Sequence, residues 1–222
     1  MTAGPAPTTP GPTARHTGDP AGTWRAVARG WWVLVPAILG NAAVQALLVI
    51  GDPVSAPDPA FAARVAASAV ALVLTIAVVT VGALAAVDGR PPAGGRGRRR
   101  LAPVAGWTAV LGILAGAASV LAVWLGPVVL LGGLLLPAVA AGPGNPLPPT
   151  LRAVRAHPGR AVTILLGSGL LAAVSWVFAL LLGLLVTGPI AAAATWVWFG
   201  AAATVLLCAG AALLRRGPNR SA

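Results

Sequence analysis

Long apolar stretches separated by short polar segments dominate the chain, at residues 31–50, 63–87, 101–142, 161–187 and 190–214. About twenty helical residues, rising about 1.5 Å each, cross the roughly 30 Å hydrocarbon core of a bilayer. Four of the stretches have the length of a single span. The pattern therefore predicts an all-α fold, a polytopic transmembrane helical bundle.

The stretch 101–142 is twice as long as the others and as one helix would measure about 63 Å. Trp124, a residue typical of the interface, and Pro127, a residue that can start a helix, predict a break between them. The second part is short and contains Gly132, Gly133 and Pro137, so it either crosses with little tilt or is re-entrant. Six spans result: 31–50, 63–87, 103–125, 127–142, 161–187 and 190–214.

Polar segments flank this transmembrane domain, which covers residues 23–216. Residues 1–22 are rich in Pro, Gly, Thr and Ala and are expected to form a disordered tail. Residues 217–222 form a short basic tail. The five arginines of 90–100 lie among glycines and prolines, which predicts an irregular basic loop. Thr150 is a candidate N-cap of a short basic helix that ends at Pro158.

All fifteen basic residues are arginine, and the net charge is +11. Cytoplasmic loops retain positive residues. Six spans, arranged as three hairpins with cytoplasmic N- and C-termini, place every arginine except Arg64 in the cytoplasm. If 101–142 crossed once, the arginines from Arg152 onward would lie outside. The arginines lie next to apolar spans, which favours a membrane surface over nucleic acid as their partner.

The composition supports a multi-pass cell-membrane protein. Hydrophobic residues make up 58% of the chain and charged residues 9%, and the mean hydropathy is +0.88. So few charges cannot solvate the surface of a soluble protein of this length. The use of Arg without Lys favours a GC-rich bacterial genome, and hence a bacterial plasma membrane.

The predicted spans contain little reactive chemistry. No charged residue lies in the interior of a span, and Arg64 and Asp88 lie at span ends. Intramembrane charges normally mark ion paths and catalytic sites. No nucleotide-binding, metalloprotease or paired-carboxylate motif is present. Ser168, between two glycines, is interpreted as a packing residue. We therefore expect a protein that is not an enzyme and has no cofactor or metal.

Two sets of residues are candidates for binding. Asn41 and Gln45 share one face of the first span, where they either hydrogen-bond a neighbouring helix or line the path of a polar solute. A second set of basic residues can contact anionic lipid headgroups. These arginines are Arg96, Arg98, Arg99, Arg100, Arg152, Arg155 and Arg160.

Small residues at helical spacing predict close helix contacts. They occur as Gly112 and Gly116 in the third span, and at every fourth position in the sixth span as Gly200, Thr204, Cys208 and Ala212. Packing within one chain is preferred over dimerisation for these faces.

The basic segment 150–156, its break at Pro158 and the long apolar run after it are echoed in part by residues 23–27. This pattern, over residues 23–214, resembles a broad group of six-span bacterial (actinobacterial-like) membrane proteins of unknown role. Their architecture is similar to that of the membrane domain attached to some glycerophosphodiester phosphodiesterases. The resemblance rests on pattern, so it implies no functional residue.

Two functions follow as hypotheses. The first is a non-enzymatic membrane component that contacts lipids or a membrane-protein partner. The second is a permease subunit that moves a small neutral or amphipathic solute past Asn41 and Gln45.

Overall fold

The computed structural model describes residues 20–51, 58–89, 95–123, 125–133, 136–142, 146–156, 158–186 and 188–215. Within these residues the regular secondary structure is entirely helical. The helices are α1 (Pro20–Val49), α2 (Pro59–Asp88), α3 (Gly95–Leu121), α4 (Leu125–Gly132), α5 (Leu136–Ala140), α6 (Leu147–Ala156), α7 (Pro158–Leu185) and α8 (Gly188–Arg215). The expectation of an all-helical fold is confirmed.

Five of the described helices are long and apolar enough to cross a membrane. Their spanning parts are Val27–Val49, Pro59–Asp88, Gly97–Leu121, Ala161–Leu185 and Gly188–Gly210. Much of their surface is apolar and exposed, as lipid contact requires. These features indicate a multi-pass membrane protein.

Local signals define both ends of α2. The Asp58 side chain accepts a hydrogen bond from the Phe61 backbone N–H, and Pro59 occupies the first turn. At the other end Gly89 adopts a left-handed conformation with φ 65° and donates its N–H to the carbonyls of Ala85 and Ala86. The thirty residues between these caps measure about 45 Å as a helix, more than the hydrocarbon core needs.

Helix α1 packs between α2 and α8. Leu34 and Ile38 of α1 form a buried cluster with Val79 of α2 and Leu207 of α8. At Gly200 of α8, an added β-carbon would lie 2.6 Å from the Ile38 side chain. The two backbones therefore approach closely at this glycine.

A second buried cluster joins α2 and α3 to the residue that follows α5. It contains Ala77, Val81 and Leu84 of α2, Val104 of α3, and Ala141. Val104 has no exposed surface. Helix α7, in contrast, lies at the periphery of the described bundle, with its main contact to α8.

The segment from α4 to α5 runs antiparallel to α3. A β-carbon at Gly126 would collide with Ser119 and the Ala115 carbonyl, and one at Gly133 would collide with Leu111. Further along, Ala141 packs on Val104. The chain thus returns from the end of α3 towards its beginning.

Several predicted boundaries are wrong. Helix α1 begins at Pro20, so the last residues of the predicted tail are helical, whereas residues 1–19 and 217–222 lie outside the described residues. The predicted basic loop is partly helical, because α3 begins at Gly95 and includes Arg96 and Arg98 to Arg100. Arginine is a good helix former, and Leu101 and Val104 anchor the helix just beyond these residues.

Two further corrections concern helix ends. The third span ends at Leu121 rather than at 125. Thr150 is not an N-cap, because α6 already begins at Leu147, where prolines are tolerated in the first turn. The Thr150 hydroxyl instead donates to the Pro146 carbonyl at 2.8 Å.

Candidate functional site

Asn41 and Gln45 lie one turn apart on the buried side of α1, with 6% and 4% of their surface exposed. The Gln45 Nε2 group donates to the Ser68 carbonyl at 3.2 Å and, more weakly, to Asn41 Oδ1 at 3.4 Å. The Ser68 hydroxyl donates to Gln45 Oε1 at 2.7 Å. Gln45 therefore links α1 to α2 through both the nitrogen and the oxygen of its carboxamide.

Ser68 is the partner that sequence reasoning missed. A single serine in an apolar helix gives no signal of its own, since most such hydroxyls bond to their own helix. Thr75 of α2 shows that usual arrangement, because its hydroxyl donates to the Ala71 carbonyl at 2.8 Å.

Asn41 also borders two apolar spaces. One is an open groove between α1 and α2 that we call the α1/α2 groove, with a volume of about 590 Å³. The other is a smaller cavity of about 160 Å³ between α1, α2 and α8. Thr75 borders both as well. Asn41 and Thr75 are thus the polar groups at the boundary between the groove and the interior.

The candidate arginines lie at one end of the bundle, in α3 and in the α6 region. Arg98, Arg99, Arg152 and Arg155 are exposed, and Arg100 is half-buried. Arg96 lies in α3 and Arg160 in α7, but their side chains are outside the described residues.

Helix packing brings the beginning of α1 to the same end. A β-carbon at Gly89, the C-cap of α2, would lie 3.7 Å from Arg29 Nη1. A cation there is favoured by the carbonyl groups that end α2. Leu84 and Val104 connect this end of α2 to the beginning of α3. We call the arginines at this end, Arg25, Arg29 and Arg98 to Arg100, the basic end of the bundle.

The opposite end of α2 carries Arg64, which is exposed. It lies one turn before Ser68, near the end of α1. Arg64 is therefore separated from the basic end by the length of α2.

Helices α7 and α8 share a second polar contact. The Trp198 indole N–H donates to the Ser175 hydroxyl at 2.9 Å, and Phe178 packs on Trp198 with ring centroids 4.8 Å apart. Ser168, two turns before Ser175, is fully buried and its hydroxyl has no hydrogen-bond partner among the described residues. Its environment fits a small packing residue.

Groups of three or more His, Cys, Asp or Glu side chains that could hold a metal ion do not occur in the part of the chain that the structure describes. Among the described residues the buried polar side chains carry amides and hydroxyls. No family model, curated protein or solved structure matches the chain.

Proposed function

We propose that the chain is a non-enzymatic component of a bacterial plasma membrane that binds anionic lipid headgroups at its basic end. The observation that supports this proposal is the convergence of exposed arginines from α1 and α3, which are far apart in sequence. Juxtamembrane arginine attracts anionic lipid by about 1 kcal/mol per residue.

We further propose six crossings in three hairpins, with both termini in the cytoplasm. The return of α4 and α5 along α3 supports a fourth crossing, because Ala141 lies beside Val104 near the beginning of α3. Residues 146–156 then follow on the basic side, and α7 and α8 cross outwards and back. This arrangement leaves Arg64 as the arginine on the outer side.

Lipid binding is tested with the purified protein in vesicles of phosphatidylcholine that contain increasing phosphatidylglycerol. Arg98→Gln and Arg99→Gln should each weaken binding of a labelled phosphatidylglycerol by about fivefold, as expected for the loss of about 1 kcal/mol. Arg64→Gln is the matched control, since it removes one exposed arginine at the opposite end. Equal effects of all three variants would refute a lipid site at the basic end.

Topology is tested with single cysteines in a Cys208→Ser background. Pro148→Cys, on α6, should react with a membrane-impermeant maleimide only after cells are permeabilised. Ala60→Cys, at the start of α2, should react in intact cells. Both positions are exposed. Labelling of Pro148→Cys in intact cells would reduce the number of crossings and overturn the hairpin arrangement.

A permease subunit is the second candidate function, and the position of Asn41 between the α1/α2 groove and the interior favours it. Asn41→Leu should then lower the uptake of glycerol, a small neutral probe, into proteoliposomes at unchanged protein level. Thr163→Ala is the control, because this exposed hydroxyl donates to the Gly159 carbonyl of its own helix and does not line the groove. Unchanged uptake in Asn41→Leu, together with co-purification of a fixed membrane-protein partner, would favour the first function.

A further inference from the structure

A large apolar cavity lies between α2, α3, α4 and α8, and we call it the α3 cavity. Its volume is about 530 Å³, within the range of about 300–1,000 Å³ that is typical of ligand sites. Helix α3 contributes most of one wall, from Thr108 to Ser119, while Ile76 of α2 and Leu206 of α8 line other sides.

The lining offers almost no polar groups to a ligand. Thr108 and Ser119 are the hydroxyl-bearing residues of the wall. Each hydroxyl already donates within its own helix, Thr108 to the Val104 carbonyl at 2.8 Å and Ser119 to the Ala115 carbonyl at 2.9 Å. A water molecule needs two to four polar partners, so an apolar space of this kind does not hold ordered water. The lining favours an apolar occupant.

Gly112 and Gly116 leave this wall open. A β-carbon on either glycine would meet no atom within 4 Å, and both residues are exposed. They were predicted to form a close helix contact, and the structure instead places them on the wall of the α3 cavity. Pro127 and Leu130, on the α4 side, are also exposed. The cavity can therefore be entered from outside the bundle.

The position of the cavity restricts where an occupant can come from. The buried cluster of Ala77, Val81, Leu84, Val104 and Ala141 closes the bundle on the side of the basic end. The cavity wall on α3 extends from Thr108 to Ser119, about 17 Å along the helix, or about half of the hydrocarbon core. This length matches the acyl layer of a single leaflet.

We propose that the α3 cavity binds one acyl chain of a bilayer lipid from the leaflet opposite the basic end. The headgroup stays at the interface, beyond the end of α3, and the chain lies along Gly112 and Gly116. Chain length and shape govern this binding rather than headgroup charge, because the residues that line the cavity are uncharged and mostly apolar. The inference is independent of headgroup binding at the basic end.

The test uses a phosphatidylcholine that carries a diazirine in the middle of one acyl chain. The full-length protein is reconstituted in phosphatidylcholine vesicles and irradiated, and the adducts are mapped by mass spectrometry. Adducts are expected on Leu111 and Ala115, which are buried but line the cavity, in addition to those on exposed Ile113. Adducts restricted to exposed positions such as Ile113 would overturn the proposal.

Gly112→Leu and Gly116→Leu fill the cavity without displacing any atom within reach of the new β-carbon. Each should remove most of the buried adducts, because the new side chain occupies the space along α3 that the acyl chain would otherwise fill. Gly106→Leu is the matched control, since Gly106 is also exposed and open but does not line the cavity. Equal adduct yields in Gly112→Leu and Gly106→Leu would contradict the proposal.

Two further variants separate the possible outcomes. Arg98→Gln should leave the buried adducts unchanged, even where it weakens binding of phosphatidylglycerol, so the two lipid proposals can fail separately. Ala115→Cys, in a Cys208→Ser background, should resist a hydrophilic maleimide. Rapid modification of this cysteine would show a water-filled path and overturn an acyl-chain site.

Discussion

The contact between Gln45 and Ser68 yields a prediction for the free energy of unfolding. Ser68→Ala removes the 2.7 Å hydrogen bond and leaves Gln45 Oε1 buried without that donor. Gln45→Leu removes the carboxamide, and the Ser68 hydroxyl can then turn to a carbonyl of its own helix, as Thr75 does. Ser68→Ala should therefore lower the free energy of unfolding more than Gln45→Leu does.

Hydrogen bonds between membrane helices average about 0.6 kcal/mol and reach about 1.7 kcal/mol. The Ser68 to Gln45 bond is short, and Gln45 is 4% exposed, so the upper part of that range applies. We expect Ser68→Ala to lower the free energy of unfolding by about 1.5 kcal/mol. Gln45→Leu should lower the free energy of unfolding by about 0.5 kcal/mol. The substitution removes the buried carboxamide itself, so few polar groups are left without a hydrogen-bond partner. The double variant should resemble Gln45→Leu.

The assay is equilibrium unfolding in mixed micelles, with dodecyl sulfate as denaturant and tryptophan fluorescence as the signal. The coupling between the two substitutions should be about 1.5 kcal/mol, well above the roughly 0.3–0.5 kcal/mol expected of independent sites. Thr163→Ala is the control, because this exposed hydroxyl donates to Gly159 of its own helix. Additive effects of Ser68→Ala and Gln45→Leu would refute the assigned contact.

Two matched pairs extend the test to other helix contacts. Ser175→Ala should destabilise the protein by about 1 kcal/mol and alter the Trp198 emission. Ser168→Ala removes a buried hydroxyl that has no hydrogen-bond partner among the described residues, so it should be neutral or stabilising. Equal losses in the same unfolding assay would contradict the assignment of Trp198 to Ser175. Gly200→Ala should cost about 1–3 kcal/mol because its β-carbon meets buried Ile38, whereas Gly167→Ala, which meets open space, should be neutral or slightly stabilising. A neutral Gly200→Ala would show that α1 and α8 do not pack as closely as described.

The sequence was a good guide where one physical requirement decides the structure. Backbone groups in lipid must be satisfied within the helix, so an apolar run as long as 161–187 has one stable form. The result is α7, which differs from the prediction by only a few residues. The break near Trp124 was also foreseeable, because a helix of about 63 Å cannot fit the bilayer and Pro127 provides a start.

The sequence was a poor guide where packing decides. Nothing in residues 90–100 shows that Leu101 will join a buried cluster and extend α3 back to Gly95. Gly112 and Gly116 have the spacing that is typical of a helix contact. Whether another helix packs on them depends on the path of α4, which the spacing does not determine. The α3 cavity was therefore not predictable from the pattern of small residues.

Two side-chain hydrogen bonds that join described helices occur at the same separation along the chain. Gln45 and Ser68 are 23 residues apart, and so are Ser175 and Trp198. In each pair the bond joins two consecutive helices of the chain, α1 to α2 and α7 to α8. Apolar side chains are nearly as stable against lipid as against another helix, so they fix the register of such a pair only weakly.

A single buried polar contact can fix that register, because any slip leaves both partners unpaired. The register of α4 against α3 is fixed by close backbone packing instead of a polar contact. Gly126 and Gly133 allow its backbone to approach α3 closely, and close approach specifies register through shape. Loss of a polar contact should therefore loosen α1 from α2, or α7 from α8, while leaving the packing of α4 on α3 intact.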